Sequence, residues 1–268
     1  MEIINQKYKS LSKLKNDFFS ATPFPYIILD DFLDKEYFEV LTETLQQNND
    51  IVMGKNFTSD VESNKSISTN SQLPDLVLNI VDELNTQNWI DNFKKLTGIE
   101  TLVATSNGNS MLANYHEMKF GGLLGSHVDH SYEPKLGFPH VLNIIIYLSS
   151  DWEVDFGGST IFFNPTGVEA KSKVEYIPNR AVIFLHTPYS FHAVDRLKGN
   201  GDIKRKTLYI DYYSESLTPF KYMELPFKNH WFKHGTTFIL PKLSDYLKSK
   251  NRNYAKTYIK YLFGKAVS

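Results

Sequence analysis

The chain of 268 residues contains no cysteine. That excludes disulfides, thiolate-bound zinc, cysteine-held iron–sulfur clusters and a cysteine nucleophile, and leaves any metal to His, Asp or Glu. An excess of one charge is also missing: the formal net charge is −1. No basic surplus exists to meet a phosphate backbone, so nucleic acid is not an expected partner. No apolar run approaches the ~18 residues of a membrane-spanning helix. The opening MEIINQKYKSLSKLKNDFF lacks the apolar stretch of a signal peptide. A cytoplasmic protein with no membrane partner is the expectation. The chain shows no internal repeat and no low-complexity linker.

What is present suits one globular unit. Aromatic residues reach 14%, which points to a β-rich core with an aromatic-lined cavity. PFPYIILDDFLD (23–34) reads as an extended opening, with Pro23 and Pro25 fixing its start. KEYFEVLTETLQQNN (35–49) sets Phe38, Leu41 and Leu45 on one helical face, widened by Tyr37 and Val40. Residues 50–72, rich in Asn, Ser, Asp and Lys, predict a long loop. The stretch 73–98 is helical, split near Asn85 and stopped at Gly98.

From 101 to 213, short β-branched runs alternate with Gly, Pro and Asn clusters, the texture of a sandwich or barrel. Helical spacing returns over 240–264. The predicted organisation is a strand and helices over 1–100, a β core over 101–215 and a helical extension over 216–268. All three belong to one structural domain, mainly β with flanking helices (α+β).

Five of the eight histidines fall between 127 and 192. The informative set is His127 and Asp129, two residues apart, with His192 far downstream. Residues i and i+2 of a strand share a face, so this spacing aims an imidazole and a carboxylate at one point. A second His from a distant strand completes two His and one carboxylate, a set that suits non-haem Fe(II) and leaves positions open for O2. KRKTLYIDYY (204–213) adds a cation: Arg205 and Thr207 share a strand face and together can grip a carboxylate. Lys206 faces the other way, so only one of Arg205 and Lys206 can serve.

Four segments in order carry a family resemblance: NYHEMKFGGLLGSHVDHS (114–131), IIIYLSSDWEVDFGGSTIFF (144–163), AVIFLHTPYSFHAV (181–194) and RKTLYIDYY (205–213). They resemble the prolyl 4-hydroxylase-like branch of the 2-oxoglutarate/Fe(II)-dependent dioxygenases. The resemblance implies a double-stranded β-helix (jelly-roll) core. It implies Fe(II) on His127, Asp129 and His192, with 2-oxoglutarate and O2 as co-substrates. It further implies Arg205 and Thr207 on the far carboxylate of 2-oxoglutarate, and Tyr115 and Tyr147 lining its pocket. A small-molecule or peptidyl substrate would be hydroxylated, with release of succinate and CO2. The intact Asp129 argues against the halogenating variants of the family, which carry a small residue there.

His130 is expected at the rim, His140 and His186 in the core or at an edge, and His116 facing away from Tyr115. Two other readings compete. One is a cupin-like metalloprotein without 2-oxoglutarate, which would leave Arg205 and Thr207 without a purpose. The other is a non-catalytic jelly-roll binding module, which would leave three buried polar groups unpartnered. The substrate stays open among a protein prolyl residue, a free amino acid and a sugar or lipid precursor.

Overall fold

The β-branched runs of the sequence form the strands of one antiparallel system. The structure, a computed structural model, describes residues 1–47, 55–58, 61–69, 73–103, 113–133, 135–199, 201–216 and 238–239. The strands are β1 (Tyr26–Leu29), β2 (Lys55–Phe57), β3 (Glu62–Thr69), β4 (Leu102–Val103), β5 (Ala113–Val128), β6 (His140–Tyr147), β7 (Thr160–Phe163), β8 (Ala170–Val174), β9 (Ala181–Leu185), β10 (His192–Val194), β11 (Arg205–Ser214) and β12 (Phe238–Ile239). The helices are α1 (Lys15–Ser20), α2 (Lys35–Gln47), α3 (Asp75–Leu84) and α4 (Gln87–Thr97). Hydrogen bonding orders the strands β1-β9-β6-β11-β5-β10-β7-β8, with β2, β3, β4 and β12 off this path. The sheet curls nearly into a barrel, a jelly-roll core.

β6 and β9 explain why the middle of the sequence reads as continuous apolar runs: every residue of both strands is buried. A strand covered on both faces has no solvent side to mark with polar residues. On the outer face, Leu142, Ile144 and Ile146 join Leu208, Ile210 and Tyr212 beneath the helices. On the inner face, Ile145 and Tyr147 pack with Met118, Leu124, Phe162 and Phe184.

The helices form as their sequences dictate. Thr86 caps α4 by accepting from the Trp89 amide, and Gly98 ends it at φ 71, a conformation that costs glycine little. α4 delivers Trp89, Phe93 and Leu96 to the outer face, where the Phe93 and Tyr212 rings lie 5.1 Å apart. In α2 the buried set is Tyr37, Leu41, Thr42 and Leu45, whereas Val40 is exposed. The expected widening through Val40 is therefore replaced by Thr42, whose hydroxyl is satisfied by the carbonyls of Phe38 and Glu39. The polar lead-in is anchored by the buried Ile4, Leu11 and Phe18.

The predicted loop over 50–72 is corrected in part. Its described residues include β2 and β3, which pair with each other, and β3 continues along β5. The polar residues of β3 satisfied composition rules for a loop, but pairing with β5 overrides them. The predicted helix over 240–264 lies outside the described residues. Among the described residues no helix is long and apolar enough to cross a membrane.

Truncating Phe93 tests the helix-to-sheet contact. Phe93→Ala should lower the unfolding free energy by about 3–5 kcal/mol in urea denaturation. A loss below about 1 kcal/mol would show that α4 does not stabilise the sheet.

Candidate active site

His127 and His192 become neighbours by strand pairing. They sit opposite each other in the β5–β10 register, and their ring centroids are 4.1 Å apart. Asp129 follows just beyond the end of β5. His127 Nε2 lies 3.7 Å from Asp129 Oδ1, and His192 Nε2 lies 3.4 Å from Asp129 Oδ2. Both His rings are buried, while the Asp129 side chain keeps 21% exposure.

The tautomers follow from local hydrogen bonds. His127 Nδ1 donates to the Gly125 carbonyl at 2.9 Å, and His192 Nδ1 donates to the Ser190 carbonyl at 3.0 Å. A neutral ring with its proton on Nδ1 carries a lone pair on Nε2. Two lone pairs thus converge on a carboxylate with no proton between them. Burial, then His192, pushes the His127 ring down to about 3, so it stays neutral at ordinary pH. Burial opposes the charge on Asp129, yet His192 and then His127 hold its carboxyl well below the usual range. Asn143 Nδ2 adds a donor to Asp129 Oδ2 at 3.0 Å. This donor set fits a divalent cation, which supplies the positive charge that the three groups lack.

Arg205 is 1% exposed and lies deep in the barrel. Its Nε donates to the Gly158 carbonyl at 2.7 Å, and its Nη1 donates to Thr207 Oγ1 at 3.4 Å. The guanidinium carbon stands 5.4 Å from the Tyr147 ring centre and 5.0 Å from that of Tyr176. Its Nη2 is buried and has no hydrogen-bond partner. A buried cation with a spare donor fits an anionic ligand such as a carboxylate. Gly158, at φ 70, admits this arrangement: a Cβ there would stand 3.0 Å from Arg205 Cδ. Lys206 points outward, donating to the Leu45 carbonyl at 2.7 Å. Of the two cations, Arg205 alone faces the inner cavity.

Tyr147 belongs to the same inner face. It is in register with Thr207, and its hydroxyl shares a 2.7 Å hydrogen bond with Thr160 Oγ1. Burial pushes the phenol up to about 12 despite the opposing Arg205 charge.

Tyr115 does not line this pocket, contrary to expectation. It packs in the outer cluster with Leu208, and its hydroxyl donates to Glu117 at 3.1 Å. His116 takes the inner side, in register with Thr207 and with its ring 4.3 Å from that of Tyr209. The physical reason is a register shift. Between Leu124 and His127, β5 uses three steps where β10 uses two, from Val194 to His192. Such a bulge inverts the alternation of faces, so counting back from His127 assigns Tyr115 to the wrong side. Lys65 was also not foreseen. It is buried on β3, pairs with Glu62 at 2.8 Å, and its charge, with that of Arg205, helps keep His116 neutral after burial.

His140 and His186 lie in the core, as expected, whereas His130 is buried rather than at the rim, and the three gather together. His140 stacks on His186 at 4.0 Å and on His130 at 4.9 Å. Trp152, Tyr189 and Phe191 are buried packing residues.

Metal-free protein should be stabilised by a divalent transition ion. With Mn(II) at about 100 times its Kd, the unfolding free energy should rise by about 2.7 kcal/mol, read as an upward shift in Tm. An unchanged Tm across a Mn(II) titration would contradict the converging lone pairs.

Comparison with known proteins agrees with this geometry. Residues 110–212 match the model of the 2OG-Fe(II) oxygenase superfamily, where 2OG is 2-oxoglutarate. No curated protein matches the chain in sequence. A prolyl-4-hydroxylase from Pseudomonas putida is similar in structure, with a TM-score of 0.54 at 14% identity over 77% of this chain and 99% of that one. The carbocyclase SnoK from nogalamycin biosynthesis gives a TM-score of 0.53 at 11% identity, over 75% of this chain and 83% of that one. A 2OG-Fe(II) oxygenase family oxidoreductase from Burkholderia pseudomallei gives 0.51 at 13% identity, over 80% and 95%. At these identities the structural likeness shows the fold. The stretch that holds His127, Asp129, His192 and Arg205 thus matches the 2OG-Fe(II) oxygenase superfamily over residues 110–212.

Proposed function

We propose that this oxygenase is a hydroxylase in which His127, Asp129 and His192 hold Fe(II), and Arg205 with Thr207 holds the far carboxylate of 2-oxoglutarate. Bound Fe(II) with 2-oxoglutarate and O2 supplies the oxidising power: a C–H bond becomes C–OH, one oxygen atom enters succinate, and CO2 leaves. The observation that carries the reading is the pair of unmet needs in one barrel. Two imidazole lone pairs and a carboxylate lack a cation, and the Arg205 Nη2 lacks an anion.

The remaining residues support these two grips. The Gly125 and Ser190 carbonyls orient the imidazoles, and Asn143 orients Asp129. Phe162, Phe184 and Leu124, all buried, keep water from the cavity wall; Phe184 stands 5.0 Å from His192 edge to face. A dry wall strengthens the Arg205–carboxylate attraction relative to water. Asp129 carries a carboxylate, which favours hydroxylation over halogenation. The related folds include a prolyl-4-hydroxylase and a carbocyclase, so the substrate, small-molecule or peptidyl, has to be argued from this chain's own cavity.

Asp129→Ala should abolish succinate formation from 2-oxoglutarate, because one ligand and the only negative charge of the set are lost. Wild-type turnover in that variant, with no added carboxylate, would end the proposal. Arg205→Lys replaces a two-pronged donor with a point charge. It should raise KM for 2-oxoglutarate about 10–100-fold, the equivalent of about 1.4–2.8 kcal/mol. An unchanged KM would remove Arg205 from the co-substrate site.

A further inference from the structure

A second polar cluster lies beside Asp129 and, apart from Asn143, takes no part in the function proposed above. It consists of His140 and Asn143 from β6, Asp211 and Tyr213 from β11, and His130 from the turn after β5. All five are buried.

The hydrogen bonds fix where the protons are. His140 Nδ1 donates to the His130 carbonyl at 2.8 Å, so the neutral ring carries a lone pair on Nε2. That atom is fully buried, lacks a hydrogen-bond partner, and stands 3.6 Å from Asp211 Oδ1. Asn143 is in register with Asp211. The Asn143 Nδ2 is committed to Asp129, which leaves its buried Oδ1 without a partner. Three groups able to accept therefore meet: the Asp211 carboxyl, His140 Nε2 and Asn143 Oδ1, the last two without a hydrogen-bond partner.

A missing donor could be a metal ion or a donor group on a ligand. His130, His140 and Asp211 have ligand atoms within 4.8 Å of one another. However, His130 Nε2 is already engaged in a hydrogen bond with the Tyr213 hydroxyl at 2.6 Å. That leaves His140 and Asp211, fewer than the three or four protein ligands of a stable site. An ammonium group matches better. It offers three donors and no acceptor, and its charge answers a buried carboxylate. The stacked rings of His130, His140 and His186, with Tyr213, supply an aromatic wall suited to a cation. The Asp211 and His130 side chains each keep 10% exposure, the part of the cluster nearest solvent.

We propose that Asp211, His140 and Asn143 bind the ammonium group of an amine substrate. This rests on the reading that Asp129 holds Fe(II), because Asn143 touches both Asp129 and the acceptor cluster. The carbon presented for oxidation is then close to the substrate nitrogen in space. A prolyl residue inside a peptide carries no such charge, so the class narrows to free amines, amino acids and amino sugars.

The test uses anaerobic full-length protein loaded with Fe(II) and 2-oxoglutarate, followed by calorimetry and by its visible charge-transfer band. The probes are matched pairs: cadaverine against 1,5-pentanediol, glucosamine against glucose, and leucine against its 2-hydroxy analogue. In at least one pair the amine should bind tenfold or more tightly than its partner, and Asp211→Asn should erase that preference. Should that variant not fold, His140→Phe, which keeps a ring in the stack and deletes the acceptor, should erase the preference as well. Equal binding in every pair, or a preference that survives both variants, overturns the proposal. A band that forms without any amine preference sinks the amine subsite alone and leaves the Fe(II) and 2-oxoglutarate reading standing; absence of the band sinks both. A second equivalent of tightly held Fe(II) or Zn(II), lost in Asp211→Asn, assigns the cluster to metal and overturns the amine.

Discussion

Strand β5 is the constraint on which the rest of the structure depends. Its 16 residues hydrogen-bond in turn to β3, β11, β10 and β12. Its first half pairs with β11, the strand that carries Arg205 and Thr207, and its last residues pair with β10, which carries His192. One continuous backbone thus fixes the anion grip and the cation grip relative to each other. Where it turns between them, Gly121 takes φ 78, and Gly122 passes so close to the Lys119 carbonyl that a Cβ would meet it at 2.7 Å. The double glycine serves the bend of the strand rather than a ligand's approach to the backbone.

A single electrostatic device recurs around the cavity. Three histidines, His127, His192 and His140, each spend the Nδ1 proton on a backbone carbonyl. The carbonyls belong to rigid strand ends or turns, so each Nε2 lone pair is aimed before any ligand arrives. Such preorganisation lowers the cost of binding a cation. It also explains how so polar a cavity survives inside an apolar barrel: its needs are complementary to ligands rather than met within the protein. Arg205 is the mirror case, a cation held by the Gly158 carbonyl and Thr207 with one donor left over.

The polar residues beside Asp129 extend this logic outward. Asn143 is the hinge between the two polar sets, giving its amide donor to Asp129 and turning its acceptor toward His140. Burial first, then the charge of Asp129, raises the Asp211 carboxyl well above its usual range. A cation received at Asp211 would relieve that repulsion, coupling substrate arrival to the electrostatics of the candidate metal ligands.

The sequence by itself determined the sandwich-or-barrel texture of 101–213, the helices that precede it and the residue types of the site. Cysteine-free composition confined metal chemistry to His and carboxylate, the spacing of His127 and Asp129 suggested a shared point, and Arg205 with Thr207 suggested the grip on an anion. These are local properties, set by alternation and side-chain chemistry. Only the tertiary structure decided that Tyr115 lies outside and His116 inside, because a bulge between β5 and β10 inverts the alternation and leaves no mark on composition. It also turned part of 50–72 into strands, since pairing with β5 supplies hydrogen bonds that polar side chains do not advertise. Likewise, it gathered His130, His140 and Asp211 into one cluster. Residues distant in sequence meet there only because β6 and β11 run side by side, and strand register is a property of the fold, not of either strand alone.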